Sequence, residues 1–273
     1  MTRPSPFLKN GNGCPEKPCI EVKKSVLRIG AIAILLYAVV VVIVYFWQRS
    51  LLYYPSHWSS TDLIHRGVRP WMDGSRMIGY CREIPHPHTI WLMTHGNAGQ
   101  AAQRDYVLER MSPQDSLYVL EYPGYGAREG KPSLENINRA ASEAYQLLHA
   151  QNPGIPVCVV GESLGTGPAC ALALEKNPPD KIVLVLPFDV LANAAAVHFP
   201  WLPVRLLLRD NWNNVESLKH YSGPVDIFGA VNDTIIPIEF ARALAKQVPQ
   251  AHFTELSCGH NAWAQEPQVK IER

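Results

Sequence analysis

The chain has 273 residues, a formal net charge of +1 and 47% hydrophobic residues. That length fits one large domain or two small ones. The near-neutral charge, with no basic stripe interleaved with aromatics, excludes a nucleic-acid partner held by bulk electrostatics. Six cysteines are scattered at 14, 19, 81, 158, 170 and 258 with no CxxC pair, which argues against a structural zinc site.

Residues 1–28 read as a basic tail without periodicity, disordered and rich in Pro, Gly, Asn and Lys. No charged residue occurs from Ile29 to Trp47. As a helix that run spans about 28 Å at ~1.5 Å per residue, the thickness of a bilayer core. Tyr45, Phe46 and Trp47 suit the far interface. Residues 29–48 are therefore expected to be a transmembrane anchor and 49–273 one folded domain. Arg3, Lys9, Lys17, Lys23, Lys24 and Arg28 precede the span, and Arg49 alone follows it before Arg66. The positive-inside rule then places the N-terminus in the cytoplasm and the folded domain on the periplasmic, lumenal or extracellular side.

Beyond the anchor, Leu51–Pro55 reads as extended and Met77–Ile84 as the region of one or two early strands. Thr89–Met93 is a short apolar strand that runs into the turn His95-Gly96-Asn97-Ala98-Gly99, with helix signals from Gln100 to Met111. Ser116–Leu120 is a second such strand, followed by the loop Tyr122-Pro123-Gly124-Tyr125-Gly126. Ser133 is placed to cap a helix to about His149. Further strands are expected at Val157–Val160, Lys181–Leu186, Val225–Phe228 and His252–Leu256, with a helix over Ile238–Gln247. The runs are continuously apolar, not alternating, which is the pattern of strands covered on both faces. The fold class is α/β: a mostly parallel central sheet with helices on both faces, whose sites form at the C-terminal strand ends.

One strand passes into Gly161-Glu162-Ser163-Leu164-Gly165, then directly into a helix-forming run. A serine at so sharp a bend takes strained backbone angles and exposes its Oγ, and the flanking glycines remove Cβ atoms where strand and helix approach. A serine hydroxyl attacks only when a base takes its proton. Of ten histidines, His260 follows the last strand in a loop of small residues and suits that base. A carboxylate must orient the imidazole. Asp233, past the Val225–Phe228 strand, suits that part, and Asp189 is its rival. Backbone N–H groups of Leu164 and Asn97 are the expected donors to a developing oxyanion. His95 is expected to be a structural hydrogen-bonding residue under its loop. Nothing supports a cofactor: Gly165-Thr166-Gly167 lacks the lysine of a phosphate loop.

Taken in order, the anchor, Leu52-Tyr53-Tyr54-Pro55, the His95–Gly99 turn, Tyr122–Gly126, Gly161–Gly165, Asp233-Thr234-Ile235-Ile236-Pro237 and Gly259-His260-Asn261 resemble the α/β-hydrolase superfamily. Within it they resemble the small membrane-anchored serine hydrolases of the α/β-hydrolase domain-containing group. The resemblance implies Ser163, Asp233 and His260 as a triad with oxyanion amides at Asn97 and Leu164. It also implies cleavage of a carboxylic ester or thioester, of a small molecule or a lipid, through an acyl-enzyme. Glu121, Arg128 and Ala262 depart from the group's usual residues. An acyltransferase, a peptidase and a non-catalytic binding module remain alternatives. Phe199–Asp210, apolar with two arginines, reads equally as a lid or a packed crossover.

Overall fold

The computed structural model describes residues 17–57 and 67–273, so Cys14 and the start of the tail lie outside the described residues. The chain divides after Phe46 into two units. Helix α1 runs from Lys17 to Leu52, in place of the structureless tail expected to residue 28. Pro18 falls in the first turn, where its missing N–H is no loss, and no proline or glycine occurs between Pro18 and Gly30. A helix nucleated in the apolar run therefore extends backwards at the gain of one hydrogen bond per residue. Lys24–Leu52 is long and apolar enough to cross a membrane.

The second unit is built on an eight-stranded sheet. Its strands are β2 (Arg69–Asp73), β3 (Arg76–Arg82), β4 (Ile90–Thr94), β6 (Ser116–Leu120), β7 (Val157–Glu162), β8 (Ile182–Val185), β9 (Val225–Ala230) and β10 (Ala251–Leu256). The spatial order is β10-β9-β8-β7-β4-β6-β3-β2. All neighbours pair in parallel from β10 to β6, and the β6–β3 and β3–β2 pairs are antiparallel. A two-residue strand β1 (Tyr54–Pro55) pairs in parallel with β5 (Ala98–Gly99).

Successive residues of each central strand enter opposite cores. Ile90 and Leu92 join one cluster, and Trp91 and Met93 the other; Val157 and Val159 alternate likewise with Cys158 and Val160. Each such side chain is worth about 1.5–3 kcal/mol on burial. The first cluster is closed by α2 (Leu134–Gln151), α3 (Thr166–Ala171), α6 (Asn214–Leu218) and α7 (Ile238–Gln247). Ser133 caps α2 by accepting from the Asn136 N–H at 3.1 Å.

Helices cover both faces unequally. Among the described residues, the second cluster is met by 3-10 turns at Ala101–Gln103, Asp105–Arg110 and Trp263–Gln265, with the chain out to Ile271. The α-helix expected over Gln100–Met111 is thus two 3-10 segments. The Ala101 N–H is taken by the buried Glu121 carboxylate at 3.0 Å, and the Gln103 side chain closes back on the Gln100 N–H at 3.0 Å. Between β8 and β9 lie α4 (Leu191–His198) and α5 (Val204–Leu207). Cys81, Cys158, Cys170 and Cys258 are free and buried, and burial pushes the Cys158 thiol up to about 12.

Candidate active site

Strand β7 ends at Glu162, and the chain reverses through Ser163 into a 3-10 turn and α3. Ser163 has φ = 53°, in the left-handed region that an L-residue occupies only when its surroundings impose it. Those surroundings are identifiable. A Cβ on Gly161 would lie 2.7 Å from Ala169 Cβ, and one on Gly165 would collide with the Thr94 carbonyl oxygen. Only glycine permits this approach of strand, turn and neighbouring strand. The turn is then fastened by Thr94 Oγ1 donating to Gly165 O at 2.7 Å and Thr166 Oγ1 donating to Ser163 O at 2.7 Å.

His260, in the loop after β10, lies with Nε2 2.9 Å from Ser163 Oγ. Its Nδ1 lies 2.6 Å from Asp233 Oδ2. The Asp233 side chain is fully buried, and its Oδ1 accepts from the N–H groups of Ile235 and Ile236, each at 2.8 Å. This turn fixes the carboxylate so that one oxygen faces the imidazole. Such an arrangement can carry a proton from the hydroxyl to the imidazole while the carboxylate balances the charge. Asp189 stands elsewhere. It accepts from its own neighbour, Val190 N–H, at 2.5 Å and from Asn193 Nδ2 at 3.0 Å, so it closes the start of α4.

The turn before β5 passes beside the serine: a Cβ on Gly96 would sit 3.7 Å from Ser163 Cβ. Asn97 in that turn is held by three hydrogen bonds, and a fourth holds the start of the turn. Its carbonyl accepts from Tyr54 N–H at 2.9 Å and from the Tyr125 hydroxyl at 2.6 Å; its amide side chain donates to Leu52 O at 2.9 Å; and Tyr122 donates to the adjoining His95 O at 2.6 Å. The tyrosines of the Tyr122–Gly126 loop and β1 therefore act as supports for the turn. Leu164 follows Ser163 in the first turn of helix, where N–H groups lack intrahelical partners. His95 is wholly buried, donating from Nδ1 to Gly96 O at 2.7 Å and stacked on Tyr122.

Sequence reasoning missed a hub at Glu162. Its Oε1 accepts from Trp263 Nε1 at 2.9 Å and its two oxygens from the Tyr106 hydroxyl at 2.8 and 2.9 Å. Arg104 Nε stands 3.9 Å away, and the same guanidinium donates to Ala98 O. Burial works to raise the Glu162 pKa. The Arg104 charge and the Trp263 and Tyr106 donors overcome it and hold the carboxyl below its ordinary value. One carboxylate thus joins the serine turn, the histidine loop and the Asn97 turn. Arg128 is turned onto main chain, donating to Glu121 O at 2.7 Å and Ile78 O at 3.3 Å. Among the described residues no cluster of three His, Cys, Asp or Glu side chains stands ready to hold a metal ion.

No family model matches the chain. It is 31% identical over 252 residues to an uncharacterized protein of Mycobacterium tuberculosis, covering 86% of this chain and 88% of that one. It is 28% identical over 192 residues to lysophosphatidylserine lipase ABHD12 of Macaca fascicularis and 32% identical over 180 residues to protein ABHD12B of Homo sapiens. These matches cover 63% and 58% of this chain but 48% and 49% of the relatives, so the likeness spans about half their length. Among solved structures, an esterase of Pyrococcus furiosus aligns with a TM-score of 0.59 at 14% identity, over 78% of this chain and 91% of that one. An α/β hydrolase from a Penicillium species aligns with a TM-score of 0.56 at 14% identity, over 72% and 92%.

Proposed function

The chain belongs to the α/β-hydrolase superfamily, in its α/β-hydrolase domain-containing group, and is a serine ester hydrolase; we propose that it works from a membrane anchor through Ser163, His260 and Asp233. The observation that carries the reading is the unbroken hydrogen-bonded line from Ser163 Oγ through His260 to the buried Asp233 carboxylate. In the proposed cycle Ser163 Oγ attacks the acyl carbon while its proton passes to His260 Nε2. The negative oxygen is met by the N–H groups of Leu164 and Asn97. Collapse expels the alcohol or thiol, which takes the proton from His260. Water, deprotonated by His260, then releases the acid and restores Ser163. Each oxyanion donor is worth about 3 kcal/mol of barrier.

The substrate class we propose is a lipidic carboxylic ester, with thioesters as the next class. The ABHD12 relatives named as lysophosphatidylserine lipases make a lysophospholipid the first ester to try. The apolar helix Lys24–Leu52 supports retention at a membrane, and the excess of cations before it supports an N-terminus in the cytoplasm with the hydrolase domain opposite. Stopped-flow hydrolysis of an aryl ester tests the acyl-enzyme. A burst of phenol equal to the enzyme concentration is expected. Linear release from the first turnover, with acyl chain length varied, contradicts an accumulating acyl-enzyme. Reporter fusions after residue 60 and at the C-terminus test the side; a cytoplasmic signal from both overturns the orientation.

A further inference from the structure

We propose that the segment Val197–Arg209, between β8 and β9, is a second membrane contact that rests in the same lipid surface that receives the anchor. The inference deepens the anchored reading and depends on its membrane half, not on its chemistry.

Composition is the first ground. Phe199, Trp201 and Leu206 are exposed, Leu206 to 87%, although Leu202 and Val204 between them are buried. Exposed large apolar side chains scattered singly need no explanation, but a contiguous group calls for a partner. Val197, Pro200, Pro203 and Leu206 also line a groove of about 430 Å³ closed by Phe240 of α7. From Val190 to Arg209 the chain carries no Asp or Glu. Its exposed cations are Arg205 and Arg209. Aromatic and aliphatic side chains beside arginines, with no acid among them, make up a surface for the headgroup boundary of a bilayer with anionic lipid.

Place is the second ground. Gln48, one residue beyond the uncharged run, donates from Nε2 to Leu207 O at 3.1 Å and accepts from Arg209 N–H at 2.7 Å. Arg49 grips the buried Asp210 with two bonds of 2.9 Å, and the Tyr53 hydroxyl donates to the same carboxylate at 2.9 Å. The carboxylate is thereby hidden from any lipid headgroup. The apolar segment is thus fastened to the residues at which the chain leaves the hydrocarbon. On its other side His198 Nε2 donates to Ile235 O at 2.8 Å. Ile235 and Val231, both about half exposed, belong to the loop that carries Asp233. Exposed apolar side chains therefore occur from the segment fastened at Gln48 and Arg49 to the loop that carries Asp233, on the side from which a lipid ester would approach.

The test uses the full chain in vesicles of phosphatidylcholine and phosphatidylglycerol. With Cys14 and Cys19 changed to serine, an environment-sensitive fluorophore is placed at Leu206→Cys, at Phe199→Cys, or at the control site Leu174→Cys, which is also exposed. Lipids carrying a shallow doxyl quencher are expected to dim the first two labels at least about threefold more than the third. Equal quenching at all three sites, in protein that resists alkaline carbonate, overturns the surface and leaves the anchor. A label shielded from water but untouched by doxyl lipid indicates a second copy or closure over the site and also overturns it. Protein stripped from the vesicles by carbonate overturns anchor and surface together. None of these readouts needs turnover, so the hydrolase reading stands or falls separately.

Discussion

The serine turn and the Val197–Arg209 segment are both rich in apolar and small residues, yet they are held in opposite ways. At the serine, each backbone position is enforced from several sides. Gly161 and Gly165 have no room for a Cβ, Thr94 and Thr166 fasten the carbonyls, and Glu162 ties the turn to two other loops. In the segment, Leu202 and Val204 are buried while Phe199, Trp201 and Leu206 stand exposed, and the Arg49 and Tyr53 bonds to a carboxylate lie just past its end, at Asp210. A site that must keep a strained φ is overdetermined by its neighbours. A surface meant for something outside the chain leaves its apolar area uncovered.

The largest loss is expected at the serine itself. Ser163→Ala is expected to lower kcat about 10⁶-fold with little change in melting temperature. Asp233→Asn should lower kcat about 10⁴-fold by misorienting the imidazole, while Asp189→Asn should leave kcat within about threefold and cost only a helix start. Steady-state kinetics on one aryl ester reads all three. A near-active Asp233→Asn would return the acid to open question. Gly165→Ala should cost about 3 kcal/mol or more, because the new methyl must displace the Thr94 carbonyl and not a flexible side chain; urea denaturation measures it.

Glu162→Gln sharpens the contrast in a subtler way. It keeps acceptors for Trp263 and Tyr106 but removes the charge facing Arg104, at an expected cost of about 2 kcal/mol near neutral pH. The sign of the pH effect follows from the lowered pKa. A depressed carboxyl adds stability above its unfolded pKa of about 4.3 and loses it as pH falls through the folded value. The wild type should therefore lose its advantage over Glu162→Gln on acidification, and the two melting curves should converge below about pH 4. At the other extreme, Leu206→Ser should change stability by about 0.5 kcal/mol or less, because the side chain is 87% exposed.

These differences also explain which parts were readable in the sequence. The serine turn was legible because its constraint is local: glycines two before and two after Ser163 sit beside the strand and helix they accommodate. His260 and Asp233 were legible as candidates because the sheet is parallel, so that residues just past strand ends gather at one edge. Choosing Asp233 over Asp189 needed strand order, and the structure separates the two by their partners. Glu162 was not legible as a hub, since its partner Trp263 lies 101 residues away. Asp210 was equally hidden, for Arg49 reaches it across 161 residues. The helix anticipated over Gln100–Met111 failed for the same cause. The Glu121 carboxylate, twenty residues on, captures the Ala101 N–H. The extension of α1 back to Lys17 shows the reverse: a charged, irregular composition was read as a tail although the run beside it could carry the helix onward.

The central claim is that Ser163 is the nucleophile and that its reactivity comes from His260 and Asp233. Labelling of the membrane-inserted full chain with a fluorophosphonate probe, followed by mass mapping of the adduct, tests it most directly. One adduct is expected, on the peptide containing Ser163. Labelling should be abolished in Ser163→Ala and slowed at least about 10³-fold in His260→Ala. Equal labelling of wild type and Ser163→Ala, or an adduct on another residue, would contradict the account.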